Sequence, residues 1–227
     1  VLLIGQGGST QAPMTITKYN KVDCNALDFK VLDSVSPVRV RSILAGLDLE
    51  RTLVLVSSKS GGTIEMRSVL DAVLDHFEMY LKTEKIPSHL VAITDPGSDL
   101  EKRAHDEGWR ACFLGEPTVG GRFSALSVFG LVPAALVGID LGGFLGHAKD
   151  AERVCSEDSI DNPAITLASF LYDNYLNGRD KFSFLTPKRG RVLGLWIEQL
   201  VAESLGKQGV GILPNIELDA LLLTEDP

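Results

Sequence analysis

The residues of this chain best equipped for chemistry lie in short glycine- and hydroxyl-rich segments, each following an apolar run. The richest is Ser57-Ser58-Lys59-Ser60-Gly61-Gly62-Thr63-Ile64-Glu65, which sets five hydroxyl and amine groups between a strand-like and a helix-like stretch. Hydroxyls and backbone amides at a helix N-terminus suit a phosphate dianion, which accepts several short charge-assisted hydrogen bonds. The same residues also fit an elaborate helix cap, with Ser60 capping and Thr63 or Glu65 in the first turn. A second segment, Gly5-Gln6-Gly7-Gly8-Ser9-Thr10, follows the apolar run Val1–Ile4. Its glycines let backbone amides approach a ligand closely. It is no dinucleotide fingerprint, because Thr10 stands where the third glycine is required, and no GxxxxGK[ST] phosphate loop occurs anywhere. A tight turn without a ligand accounts for it equally well.

Two charged residues need context. Arg122, in Val119-Gly120-Gly121-Arg122-Phe123-Ser124, opens a predicted helix. A cation is disfavoured there by the helix dipole, so the choice lies between a surface side chain and one with an anionic partner. Glu203 shares a helical face with Trp196, Gln199 and Lys207, and the plain alternative is an exposed i,i+4 pair with Lys207 worth about 0.3–0.5 kcal/mol. Gly206 is expected to end that helix, leaving Glu203 near a terminus where active sites are often assembled. The four histidines (His76, His89, His105, His147) are scattered without metal-ligand spacing, and each reads as a surface or edge-of-core residue. The three cysteines (Cys24, Cys112, Cys155) form no CxxC pair, so unpaired thiols in a reducing compartment are expected.

These segments need a scaffold, and the alternation of elements supplies one. Strands are predicted at 1–5, 29–33, 52–57, 89–94 and 110–114. Helices are predicted at 37–47, 63–82, 98–107 and 123–137. Near-continuous apolar strands alternating with helices indicate an α/β fold, a doubly wound parallel five-stranded sheet whose carboxyl edge carries the loops. Glycine-rich 138–146 is the expected linker. Helices at 148–155, 163–177 and 192–205 and a strand at 181–185 begin a second α/β domain too short to complete a sheet. The expected division is 1–137, then a linker and helix over 138–161, then a truncated second domain over 162–227. Opening on Val1-Leu2-Leu3-Ile4 and closing just after a new apolar run, the chain reads as a piece of a longer protein. A net charge of −8 argues against a general nucleic-acid binder but not against a small anion held locally. The longest apolar stretch, about Leu131–Ile139, falls far short of the roughly 20 residues that span a bilayer, and nothing suggests secretion, so a cytoplasmic location is expected.

In order along the chain, Gly5–Pro13, Ser57–Glu65, Thr94–Leu100, Gly120–Gly130, Asn162–Pro163 and Glu198–Pro214 resemble the phosphoglucose isomerase family, built from sugar-isomerase domains. The glycine-rich loops indicate only the wider domain type. Gly-Gly-Arg-Phe-Ser followed by Ala-Leu-Ser, and Glu-Ser-x-Gly-Lys, are the specific parts. Ile197–Ser204 and Gly211–Pro214 look most like a bacterial branch in which the isomerase can be fused behind a transaldolase. The resemblance implies interconversion of glucose 6-phosphate and fructose 6-phosphate through a cis-enediol, a step of glycolysis and gluconeogenesis, without metal or organic cofactor. It gives Glu203 the role of proton-transfer base and Arg122 that of stabilising the enediolate oxygens. It assigns the phosphate to Ser58, Ser60 and Thr63 with Lys59 beside them, and the first loop against the sugar phosphate to Gly8 and Ser9. It also implies a homodimer for the full-length protein, and a ring-opening histidine and a lysine beyond residue 227. Gly62 stands where that branch often has threonine, Pro117 where a polar or acidic residue is common, and Gln6 where an apolar one is usual. Two rival readings share these residues, a non-catalytic sugar-phosphate-binding module and an isomerase of another sugar phosphate.

Overall fold

The computed structural model describes residues 1–19, 27–186 and 190–216. They fall into two compact units, divided between Gly138 and Ile139. In the first unit the chain alternates strand and helix: β1 (Leu2–Ile4), α1 (Gly8–Tyr19), β2 (Lys30–Leu32), α2 (Pro37–Leu44), β3 (Val54–Ser57), α3 (Ile64–Glu78), β4 (Leu90–Thr94), α4 (Asp99–Asp106) and β5 (Ala111–Leu114). A final helix, α5 (Val128–Leu136), closes the unit. The strands make one five-stranded, all-parallel sheet in the order β2-β1-β3-β4-β5. This is the doubly wound arrangement that the apolar strand runs predict.

The period-two alternation of each strand divides the core between the two faces of the sheet. Leu2, Ile4, Val54 and Val56 point into one cluster, covered by Met66, Val69, Leu70, Val73 and Phe77 of α3 and by Leu100 and Ala104 of α4. Leu3, Leu55, Val91 and Ile93 point the other way, onto Phe129 of α5. Because helices cover both faces, β1, β3 and β4 are buried at every position. His89 sits at the edge of this core, its Nδ1 2.8 Å from the Thr52 carbonyl and its ring against Phe77.

Two expectations need correction, and one strand is new. The helix predicted over 123–137 is two elements, a 3-10 turn at Gly121–Leu126 and then α5. Ser127 divides them: its extended backbone lets its hydroxyl donate to the Ser124 carbonyl (2.7 Å) and accept from Phe129 N (3.3 Å), capping α5. The glycine-rich stretch expected as a linker is largely helical, because α6 runs from Leu141 to Cys155. There the Asp140 carboxylate accepts from Gly142 N (3.1 Å), and this cap outweighs the low helix propensity of Gly142, Gly143 and Gly146. Finally, a strand the sequence does not suggest, β7 (Leu213–Ile216), pairs in parallel with β6 (Lys181–Phe184). Pro214 conceals it, since proline within a run argues against a strand unless it lies at a sheet edge.

The second unit also contains α7 (Pro163–Leu176) and α8 (Arg191–Leu205). Gly194 is buried in α8 because a Cβ there would lie 2.5 Å from Ile216 Cγ2 of β7. Asn162 joins α6 to α7. Its Oδ1 accepts from Ala164 N (2.9 Å) and Ile165 N (3.3 Å), while its Nδ2 donates to the Cys155 and Glu157 carbonyls, both at 2.8 Å. Replacing this buried cap (Asn162→Ala) should cost about 2–3 kcal/mol, a lost cap plus carbonyls left without donors. A lower urea midpoint for helical dichroism would show this, and an unchanged midpoint would refute it.

Cys112 and Cys155 carry free thiols, whereas Cys24 lies outside the described residues. Burial, reinforced by the Glu101 carboxylate, raises the Cys112 thiol above its ordinary value.

Candidate functional site

The loops after β1, β3, β4 and β5 all emerge at the carboxyl edge of the sheet, and strand order reverses between β1 and β3. That switch point is where open α/β sheets bind ligands. The first loop turns at Gly7, whose φ of +53° favours glycine, and delivers Gly8 and Ser9 as the first residues of α1. The second turns at Gly61, with φ of +69°; a Cβ there would also meet Leu100 N at 2.7 Å, so the loop lies hard against the start of α4.

Within the second loop, Ser58 Oγ accepts from Gly61 N (3.2 Å) and lies 3.4 Å from Thr63 Oγ1, and Ser60 Oγ accepts from Gly62 N (3.2 Å). Thr63 occupies the N-cap position of α3, but no side chain makes the capping bond. The elaborate cap that the sequence allowed is therefore not formed. The serines organise the loop, and among the described residues no side chain caps the first amides of α3.

Gly8, Ser9, Ser58, Lys59, Ser60 and Thr63 line one cleft of about 420 Å³ together with Gln6, Ser57, Asp95, Pro117 and Gly121. Its size suits a small-molecule site. Two polar atoms at this cleft, Ser57 Oγ and Asp95 Oδ1, are buried without a hydrogen-bond partner. Such atoms are rare in folded proteins. The loop after β5 closes one side, and Gly8 shows how tightly: a Cβ on it would lie 2.6 Å from both C and O of Gly121. Arg122 follows directly, half-buried, with its guanidinium carbon 5.8 Å from the centre of the Phe123 ring. In the same loop the hydroxyl and then the amide of Thr118 donate to Glu116 Oε1, at 2.8 and 3.1 Å, and hold that carboxyl below its ordinary value.

Glu203 belongs to the second unit. It lies in the last turn of α8, exposed to solvent within that unit, with Oε1 accepting from Gln199 Nε2 at 3.0 Å. Lys207 Nζ donates to the Glu203 backbone carbonyl (2.8 Å), which secures the helix end. Gly206 is the C-cap, and a Cβ there would come within 2.4 Å of the Ala202 oxygen.

Sequence reasoning counted Ser57 among the hydroxyls of the second loop without assigning it a role, and missed Asp95 as a cleft residue. Both sit at or just past the ends of predicted strands, so the carboxyl-edge rule was the available signal. Among the described residues, no three His, Cys, Asp or Glu side chains cluster closely enough to hold a metal ion.

Fold and cleft together define a doubly wound α/β protein with a polar cleft at its topological switch point. A model of the phosphoglucose isomerase family matches residues 1–212, and the chain belongs to that family. It is 36% identical over 214 residues to a glucose-6-phosphate isomerase of Desulfitobacterium hafniense (strain Y51), covering 92% of this chain and 40% of that protein. It is 38% identical over 215 residues to the enzyme of the same name from Rippkaea orientalis, with the same coverage of 92% and 40%. The chain thus spans 40% of the length of these curated relatives. Among solved structures, a hypothetical protein from Thermus thermophilus superposes with a TM-score of 0.88 at 33% identity, over 99% of this chain and 54% of that one. A glucose-6-phosphate isomerase from Chlamydia trachomatis shares the fold with a TM-score of 0.82 at 21% identity, over 99% of this chain and 46% of that one.

Proposed function

We propose that this chain contributes the phosphate subsite, the enediolate-stabilising arginine and the proton-transfer base of an aldose–ketose isomerase acting on glucose 6-phosphate and fructose 6-phosphate. The observation that carries this reading is the cleft at the switch point, where the Ser58, Ser60 and Thr63 hydroxyls meet a helix start that no side chain caps. A phosphate dianion there would accept bonds from hydroxyls and amides, and the α3 dipole would favour its charge.

The rest of the mechanism follows from what the transfer requires. Moving a carbonyl between C1 and C2 removes a carbon-bound proton and returns it to the neighbouring carbon. One carboxylate can do both, and Glu203 is the residue we assign. Negative charge then develops on the enediolate oxygens, and Arg122 is assigned to stabilise it. Gly8 and Ser9 would pack against the sugar phosphate. The transfer is internal to the sugar and requires no redox partner. On the same reading the two units are a sugar-isomerase domain and the start of another. The full-length protein is then a cytoplasmic homodimer, in the bacterial branch that can carry a transaldolase domain upstream.

The double substitution Ser60→Ala with Thr63→Ala tests the phosphate subsite. Inorganic phosphate and fructose 6-phosphate should both bind at least about tenfold more weakly by calorimetry, since hydrogen bonds to a charged acceptor are each worth about 1.5–3 kcal/mol. Unchanged affinity for both ligands would sink this assignment.

A further inference from the structure

The sequence sets Lys59 among the phosphate-binding groups, but in the structure its ammonium is occupied by protein acceptors. Lys59 Nζ pairs with the Asp95 carboxylate and donates to the carbonyls of Glu116 (3.2 Å) and Pro117 (3.3 Å). An ammonium has three donors, so none is left for a ligand. The Lys59 carbonyl in turn accepts from Asp95 N (3.0 Å) and Thr94 Oγ1 (3.3 Å). Both side chains are largely withdrawn from water, with 24% of Lys59 and 16% of Asp95 exposed, so the pair is screened less than a surface ion pair. One residue thus ties together the loops that follow β3, β4 and β5.

We propose that Lys59, anchored by Asp95, is a positioning residue: it holds the Glu116–Pro117 turn, and through it Gly120-Gly121-Arg122, in register with the phosphate hydroxyls. The purpose of that register rests on the sugar-phosphate reading above. The turn can transmit the constraint because it is internally tied. Thr118 satisfies the Glu116 carboxylate, Val119 N donates to the Glu116 carbonyl (3.1 Å), and Phe123 N donates to that of Gly120 (2.9 Å). Pro117 removes a further degree of freedom by fixing its own φ. A lysine acting as a direct phosphate ligand would need a free donor and unneutralised charge, and Lys59 has neither.

The test uses Lys59→Met and Asp95→Asn in the 227-residue chain. These changes remove opposite charges, so a shared effect isolates the pair. In both variants the amides of Val119 and Phe123 should exchange with deuterated water at least about tenfold faster, while those of β1 and β3 keep their protection. With Lys59→Met, inorganic phosphate should bind less than about threefold more weakly. Deuterium uptake at C1 of fructose 6-phosphate should fall at least about tenfold, because misplacing a catalytic group costs turnover more than it costs phosphate affinity. Unchanged exchange at Val119 and Phe123, protection lost equally in β1 and β3, or phosphate affinity falling in step with uptake would each overturn the proposal. Amide exchange needs no ligand, so a wild-type chain that bound no sugar phosphate would defeat the proposed function while the loop constraint was still judged on its own.

Discussion

Glu203→Gln should reduce deuterium uptake at C1 of fructose 6-phosphate by about a thousandfold while leaving sugar-phosphate affinity within about threefold, since a positioned general base contributes about 10²–10⁴ in rate. The substitution keeps the size and planarity of the side chain and removes only its capacity to take a proton. It also preserves the local helix, because a glutamine carbonyl can still accept from Gln199 Nε2, which now donates to Glu203 Oε1 at 3.0 Å. Isotope uptake on the ketose is the right readout, because proton transfer acts on its open-chain form and requires no ring opening. The outcome separates the rival readings. A non-catalytic binding module has no use for this carboxylate and would show no uptake in the parent chain. An isomerase of another sugar phosphate would show uptake on that substrate in preference to fructose 6-phosphate, with the same dependence on Glu203. Uptake undiminished in Glu203→Gln would assign the base to another residue. The exposure of Glu203 within its own unit adds a condition. Water stabilises the charged form of a carboxylate and makes it a poor base toward a carbon-bound proton, so productive uptake calls for bound sugar to displace water from it.

What the sequence reveals about this molecule depends on the range of the interaction involved. The sheet strands are legible because helices bury both faces, so Leu2–Ile4, Val54–Ser57 and Leu90–Thr94 appear as unbroken apolar runs. The second loop is legible as a hydroxyl cluster for the same local reason. Features that depend on one cap or one breaker are harder to read. Asp140 starts a helix across three glycines, Ser127 ends a 3-10 turn inside what looks like one helix, and Pro214 hides a strand. In each case a single hydrogen-bonding or φ-fixing residue outweighs the average propensity of its neighbours. Contacts between distant residues are not legible at all. Lys59 reads as a phosphate ligand from its neighbours, yet its partners Asp95 and Glu116 lie 36 and 57 residues away in sequence. Composition cannot show that the charge of Lys59 is already paired.

Gly8 is a second such case, and Gly8→Ala should weaken fructose 6-phosphate binding and slow its proton exchange by about a hundredfold combined, a large effect for one methyl group. The argument is steric. A Cβ on Gly8 would lie 2.6 Å from the C and O of Gly121 and 3.1 Å from Arg122 N, all of them backbone atoms that no rotamer change can move aside. Either the start of α1 or the Gly121–Arg122 segment must retreat by close to an ångström. Displacements of that size at a catalytic group cost about 10²-fold, because the reacting geometry is lost. The fold itself should lose only about 1–3 kcal/mol, the usual cost of overpacking, because the clash lies at the rim of the sheet rather than within either core cluster. Gly121→Ala is the matched control: a Cβ at Gly121 meets nothing within 4 Å, so its urea midpoint should stay close to that of the parent chain. If Gly8→Ala bound fructose 6-phosphate and exchanged its C1 proton as the parent does, the closeness of the loops after β1 and β5 would have no part in assembling the site. Arg122 would then have to be positioned from elsewhere. If Gly8→Ala and Lys59→Met each impair uptake and their combination is little worse than either alone, both act on the same Gly120–Arg122 segment, since changes that disrupt one shared element do not add.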